Sequence, residues 1–190
     1  MNVTKQIVEN YHEAEQQMHL VRDVVNQVEK VLDSKGIKYK EPVLTGSFVL
    51  HYYFSRFRLP HDIDIVFVIS IEQYEKFQRL PEDINLAFSN NAKEAKYKAV
   101  YRDITLSFML YGYINIIFKI EQETQDISTN ECFGFKMHTI DSILKYKNWY
   151  SRLKDYKDQV MMQCIFDEWS DEDIACRMAD MELEYDEYTK

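Results

Sequence analysis

Two stretches carry the reading: Pro42-Val43-Leu44-Thr45-Gly46-Ser47 and, after the fourteen residues Phe48 to His61, Asp62-Ile63-Asp64-Ile65-Val66-Phe67-Val68-Ile69-Ser70. The first reads as a short strand entering a tight turn, with a helix opening at Ser47 and covering Phe48 to Phe57. The second is so rich in Val and Ile that it predicts a buried strand. Side chains alternate along a strand, so the Asp62 and Asp64 carboxylates leave one face while Ile63, Ile65 and Phe67 leave the other. Two anionic ligands thus converge at one edge of a sheet. That geometry suits Mg²⁺, which favours a few carboxylates together with water and substrate phosphates. Gly46 lets the backbone approach a phosphate closely, and the free N–H groups where the next helix begins attract anions. In this order, a phosphate cradle faces a metal-binding pair across one cleft.

Upstream, Ile7, Tyr11, Ala14, Met18, Val21, Val25, Val28 and Leu32 recur at spacings of three and four and predict one face of a long helix. Thr4 is its expected cap and Ser34-Lys35-Gly36 its expected end. Such a stripe packs first on its own domain, with a homodimer or a partner protein as its second use. Downstream, Ile71 to Phe77 reads as helical. Tyr97 to Phe108 and Tyr113 to Ile120, around Tyr111-Gly112, have the pattern of an antiparallel hairpin. After Gly134 the pattern turns helical: Thr139 caps Ile140 to Tyr150, a second helix covers Asp155 to Phe166, and Ser170 opens a third. Helix, mixed sheet and helices in that order predict an α+β fold. We expect a core with its N-terminal helix over 1–130 and a helical region over 131–190, joined in one unit, as suits 190 residues with 46% hydrophobic content.

The net charge of −9 is unevenly placed. From Cys164 to Lys190, ten acidic residues stand against Arg177 and Lys190, leaving the first 163 residues nearly neutral. Strong acidity disfavours general nucleic-acid binding, because phosphate contacts supply most of that affinity. Here it belongs to a tail that reads as a solvated helical face or a frayed end, so the body is free to hold a basic site. Cys132, Cys164 and Cys176 are few, odd in number and widely spaced, which predicts reduced thiols. The five histidines show no zinc-binding spacing. The longest apolar runs fall far short of the roughly 20 residues needed to cross a bilayer. The N-terminus turns polar at once, without a signal-peptide core, so the expected location is cytoplasmic.

The order of Gly-Ser turn, helix and Asp-Ile-Asp strand resembles the signature of the nucleotidyltransferase superfamily. More narrowly, Arg58-Leu59-Pro60-His61-Asp62-Ile63-Asp64 is similar to the Arg-x-(Ser/Thr)-x-Asp-Ile-Asp segment of AbiEii-like nucleotidyltransferases, the group containing type IV toxins. Pro60 replaces the usual hydroxyl residue. Lys145, followed by Arg152-Leu153-Lys154-Asp155-Tyr156-Lys157-Asp158, is similar to the family's Lys and (Arg/Lys)-Asp-x-x-Asp block. The resemblance runs from Val43 to Ile165. It implies a Mg²⁺-dependent enzyme that moves NMP from an NTP to an acceptor hydroxyl on RNA or tRNA, a protein or a small molecule. Asp62 and Asp64 would hold the metal, Gly46 and Ser47 would bind the phosphates, and Arg58 and Lys145 would neutralise them. Asp155 would join the nucleotide-binding set, and Asp158 would count with Asp62, Asp64 and Lys145 among the catalytic groups. Lys147 competes with Lys145 for the same role. On spacing alone, Asp155 and Asp158 share a helix face beside Lys154 and either orient a substrate group or form a surface ion-pair cluster.

One position departs from the pattern. The superfamily's third carboxylate lies on a later strand, where Tyr113-Ile114-Asn115-Ile116-Ile117-Phe118 supplies Asn115, with Asp103 or Glu121 as candidate substitutes. The alternative expectation is therefore a catalytically silent, antitoxin-like module of the same fold that docks a partner through its N-terminal helix. Against it stands the retention of two like charges side by side at Asp62 and Asp64, where they repel.

Overall fold

The Val- and Ile-rich run forms a seven-residue strand, Ile63–Ile69, in the interior of the sheet. A computed structural model describes the backbone of residues 3–88, 92–100, 103–111, 113–120 and 127–188, with side chains described for 18–88, 106–111, 113–120 and 130–182. In chain order the elements are α1 (Val3–Ser34), β1 (Val43–Thr45), α2 (Gly46–Tyr53), β2 (Ile63–Ile69), α3 (Tyr74–Phe77), α4 (Leu80–Ala87), β3 (Ala92–Val100), β4 (Asp103–Leu110), β5 (Ile114–Ile120), β6 (Ile127–Cys132), β7 (Phe135–His138), α5 (Ile140–Tyr150), α6 (Leu153–Phe166) and α7 (Asp171–Tyr188). The fold is α+β. Seven strands form one mixed sheet in the order β3-β4-β5-β2-β1-β7-β6. β2 runs antiparallel to β1 and parallel to β5, while β1 runs parallel to β7.

Strand alternation sorts β2 into two faces. Ile63, Ile65, Phe67 and Ile69 belong to a continuous core that also takes in Met18, Val21, Val25, Val28 and Leu32 of α1. The helical stripe from Met18 onward is thus used within its own chain. Two polar contacts fasten α1 there: Gln27 Nε2 donates to the Ala87 carbonyl at 2.8 Å and Arg22 to that of Phe133 at 2.5 Å. The helix begins at Val3, one residue ahead of Thr4, and ends as the glycine requires. Gly36 takes φ +59, and the Ile37 N–H returns to the Leu32 carbonyl at 2.9 Å.

Three expectations are corrected. The helix opening at the Gly-Ser turn stops at Tyr53 rather than Phe57, because Phe54 leaves helical geometry and Phe57 turns back into the core, 2% exposed. The run Tyr97 to Phe108 divides into β3 and β4, which pair with each other, Val100 opposite Asp103. Residues 131–190 are not wholly helical either: β6 and β7 form a hairpin through Phe133 and Gly134, and β7 pairs with β1. β6 reads Ile-Ser-Thr-Asn-Glu-Cys and β7 has four residues, too polar and too short for a periodic signal. The expected boundary at 130/131 falls inside β6, so both parts contribute strands to one sheet.

The three expected C-terminal helices form, the second starting at Leu153 rather than Asp155. Thr139 Oγ1 accepts from the Ser142 N–H at 3.2 Å and caps α5, and Ser170 Oγ accepts from the Asp173 N–H at 3.1 Å ahead of α7. On α7, Ile174 and Met181 are buried while Asp171, Glu172, Asp173 and Asp180 are exposed, the solvated face expected of the acidic tail. No helix of the described residues is long and apolar enough to cross a membrane, and all three cysteines are free thiols.

Candidate active site

The site is set by register. Antiparallel pairing places Thr45 of β1 opposite Asp64 of β2, and parallel pairing places Asn115 of β5 opposite the same aspartate. Thr45, Asp64 and Asn115 therefore form one row across three adjacent strands, their side chains on the same face. Gly46 follows at once. Its φ of +74 is left-handed, and a Cβ there would collide with Asp64 Oδ2. Only glycine meets both demands, so the turn and the acid are in direct contact. Ser47, in the first turn of α2, is buried.

Asp64 is held from both sides. Oδ2 faces Gly46, and Oδ1 accepts from the Asn115 Nδ2–H at 2.7 Å. Burial and the neighbouring Asp62 charge push the Asp64 carboxyl up to about 6, against the Asn115 hydrogen bond and the charges of Lys147 and Lys154. The carboxylate and the neighbouring Asp62 are hard oxygen donors of the kind a divalent cation takes, although among the described residues no three His, Cys, Asp or Glu side chains gather as a metal-holding group.

A second cluster lies on α5 and α6 beside the loop that follows α2. Asp158 is 1% exposed and receives a two-pronged hydrogen bond from Arg58, Nε to Oδ1 at 2.5 Å and Nη2 to Oδ2 at 2.9 Å. Lys147 Nζ also reaches Asp158 Oδ2, at 2.6 Å, and lies 3.6 Å from Asp155 Oδ1. Asp155 in turn takes a fork from Arg152, at 2.5 and 3.0 Å. Burial raises the Asp155 carboxyl, but the Arg152 hydrogen bonds and the charges of Arg152, Lys147 and Lys154 outweigh it and hold the group below its ordinary value. The result is a chain of alternating charge, Arg58, Asp158, Lys147, Asp155, Arg152. It lies within electrostatic reach of Asp64, which feels Lys147 and Lys154 and is itself felt by Arg152.

Of the residues singled out from sequence, Gly46, Asp62 and Asp64 come together, and Arg58, Asp155 and Asp158 gather beside them. Lys145 does not join them. It is exposed, with Nζ 5.0 Å from the centre of the Trp149 ring, whereas Lys147 is 8% exposed and points into the cluster. Two residues on a helix are about 200° apart, so the two lysines face nearly opposite ways. Arg152 and Lys154 belong to the basic and acidic motif, but the motif alone gives neither a role of its own. Their part depends on α6 starting at Leu153, which places Arg152 one residue ahead of it to reach Asp155. The Asp103 side chain and the whole of Glu121 lie outside the described residues.

No family model matches the chain, and no curated protein matches it. Among solved structures, the crystal structure of JHP933 from Helicobacter pylori is similar at 13% identity, covering 88% of this chain and 94% of that one, with a TM-score of 0.33. A likeness that distant carries no argument about function, which rests on the residues themselves.

Proposed function

We propose that the protein is a Mg²⁺-dependent nucleotidyltransferase. The observation that supports this reading most is the contact between Gly46 and Asp64, which sets a glycine turn at the start of α2 against a carboxylate raised by burial and by its neighbour. Asp62 and Asp64 would hold the ion, which neutralises charge on the NTP phosphates when bound. The Gly46-Ser47 backbone, at the start of α2, would take the β- and γ-phosphates. Lys147, fixed by Asp155 and Asp158, replaces Lys145 as the lysine of this reading. The acceptor hydroxyl oxygen bonds to the α-phosphorus, the bond to the α–β bridging oxygen breaks, pyrophosphate leaves, and the hydroxyl proton passes to water. Positioning and charge neutralisation carry such a step. The acceptor stays within the classes named from sequence: RNA or tRNA, a protein side chain, or a small hydroxyl compound.

The test combines the protein with Mg²⁺, each α-labelled NTP and either total RNA or cell protein, beside an Asp62→Ala, Asp64→Ala control. Label that transfers with the protein and vanishes in the control supports the reading. No transfer by a folded protein under any condition favours the second reading, a silent binding module, for which the Asn115 amide at the third acid position is the specific support.

A further inference from the structure

The row Thr45, Asp64, Asn115 bears on the number of ions the site can hold. An ionised carboxylate accepts hydrogen bonds only, so the amide edge that Asn115 turns to Asp64 Oδ1 is its N–H₂, and the amide oxygen points elsewhere. One oxygen of Asp64 is thereby engaged and capped by a positive dipole. The other oxygen, Oδ2, is the one against Gly46. A site that clamps two ions about 3.5–4 Å apart needs anionic ligands on both sides. Here two carboxylates balance one divalent charge. A second ion would leave a double positive charge next to Lys147, Lys154 and Arg152, all of which already act on Asp64 or feel it.

We infer that Asp62 and Asp64 bind a single divalent ion, and that Asn115 together with the cations of α5 and α6 keeps a second ion out. This rests on the proposed reading of the site, and it gives Asn115 two definite roles. The amide orients Asp64 towards the Gly46 turn, and it withholds the charge a second ion requires. Asn115 is thus a positioning group. Lys147, anchored by two buried acids, stands as the fixed positive charge in the region that a second ion would otherwise neutralise.

Counting ions tests this without reference to turnover. Mn²⁺ alone is titrated into the protein and bound ion is read from the loss of the free-ion paramagnetic resonance signal, counting the sites that disappear in Asp64→Asn. One ion per chain is expected. Asn115→Asp is expected to bind two, and Asn115→Ser, which restores neither the hydrogen bond nor the charge, to bind one more weakly than the unaltered chain. Circular dichroism checks that each variant folds, and the count on the unaltered chain stands whether or not the variants do. Two ions on the unaltered chain, none at all, or an unchanged count in folded Asn115→Asp overturns the inference. One ion without transfer of labelled nucleotide removes the transferase reading and leaves the stoichiometry standing; two ions with transfer does the reverse.

Discussion

Asp62 and Asp64 lie two apart where β2 begins, Asp62 one residue ahead of the strand, and Asp155 and Asp158 lie three apart on α6. In the sequence the two pairs look alike, as neighbouring acids beside basic residues. In the fold they have opposite surroundings. Asp155 and Asp158 are buried and share three cations, with Arg152 and Arg58 each forking onto one acid and Lys147 between them. Burial and the neighbouring Asp62 charge raise the Asp64 carboxyl against the Asn115 hydrogen bond and the charges of Lys147 and Lys154, whereas that of Asp155 is lowered. A carboxylate supplied with its own cations has little left to offer a ligand. In the proposed function the first pair would be the ligand site, while the second is the frame that holds Arg58, Lys147 and Arg152 in place.

The contrast breaks most visibly at Asp158. Replacing it with Ala leaves Lys147 and Arg58 without their shared partner in a buried setting, and a loss of about 3–5 kcal/mol is expected in chemical denaturation. A loss below about 1 kcal/mol would show that the helix pair does not serve as the frame. Next is Gly46→Ala, which combines a left-handed backbone with a Cβ pressed on Asp64 Oδ2. It should cost about 3 kcal/mol and weaken Mn²⁺ binding, since the acid must move.

Asp64→Asn acts in the opposite direction. The folded carboxyl titrates at about 6, above the ordinary 3.8, so stability falls as pH rises from about 3.8 to about 6, where the unfolded group has ionised and the folded one has not, and the loss is complete above that. The variant should be more stable than the parent by about 2 kcal/mol at pH 8, with the gain vanishing towards pH 4. For Asp155 the sign reverses. Its lowered carboxyl contributes stability at neutral pH that is lost as the solution becomes acidic, so Asp155→Asn should be least stable relative to the parent at neutral pH. Denaturation of both variants at several pH values would show two slopes of opposite sign; two slopes of the same sign would erase the distinction between the pairs. The smallest effect belongs to Lys145→Ala. On an exposed face against Trp149, it should shift stability by no more than about 0.5 kcal/mol and leave labelled transfer near the parent's level, whereas Lys147→Ala should abolish it.

Much of the fold was legible because it was periodic. The apolar stripe of α1, the β-rich run of β2 and the caps at Thr139 and Ser170 are local patterns, and each produced the element it implied. The β6–β7 hairpin was not legible, because a polar strand and a four-residue strand acquire their structure from pairing with β1 and with each other. The site divided in the same way. Strand alternation predicts one face for Asp62 and Asp64; in the fold β2 begins at Ile63, so Asp62 stands one residue ahead of it. No spacing rule could choose Lys147 over Lys145, since that choice depends on which side of α5 meets α6.

The sequence by itself determined the α+β class, the long helix and a buried strand that begins beside two acids, because these follow from chain geometry within a few residues. Tertiary structure alone decided that Gly46 abuts Asp64, that Asn115 shares its row, and that Asp155 and Asp158 are neutralised while Asp64 is not. Those facts depend on strand register and on charges brought together from residues far apart in the chain, and electrostatic environment is a property of neighbours in space.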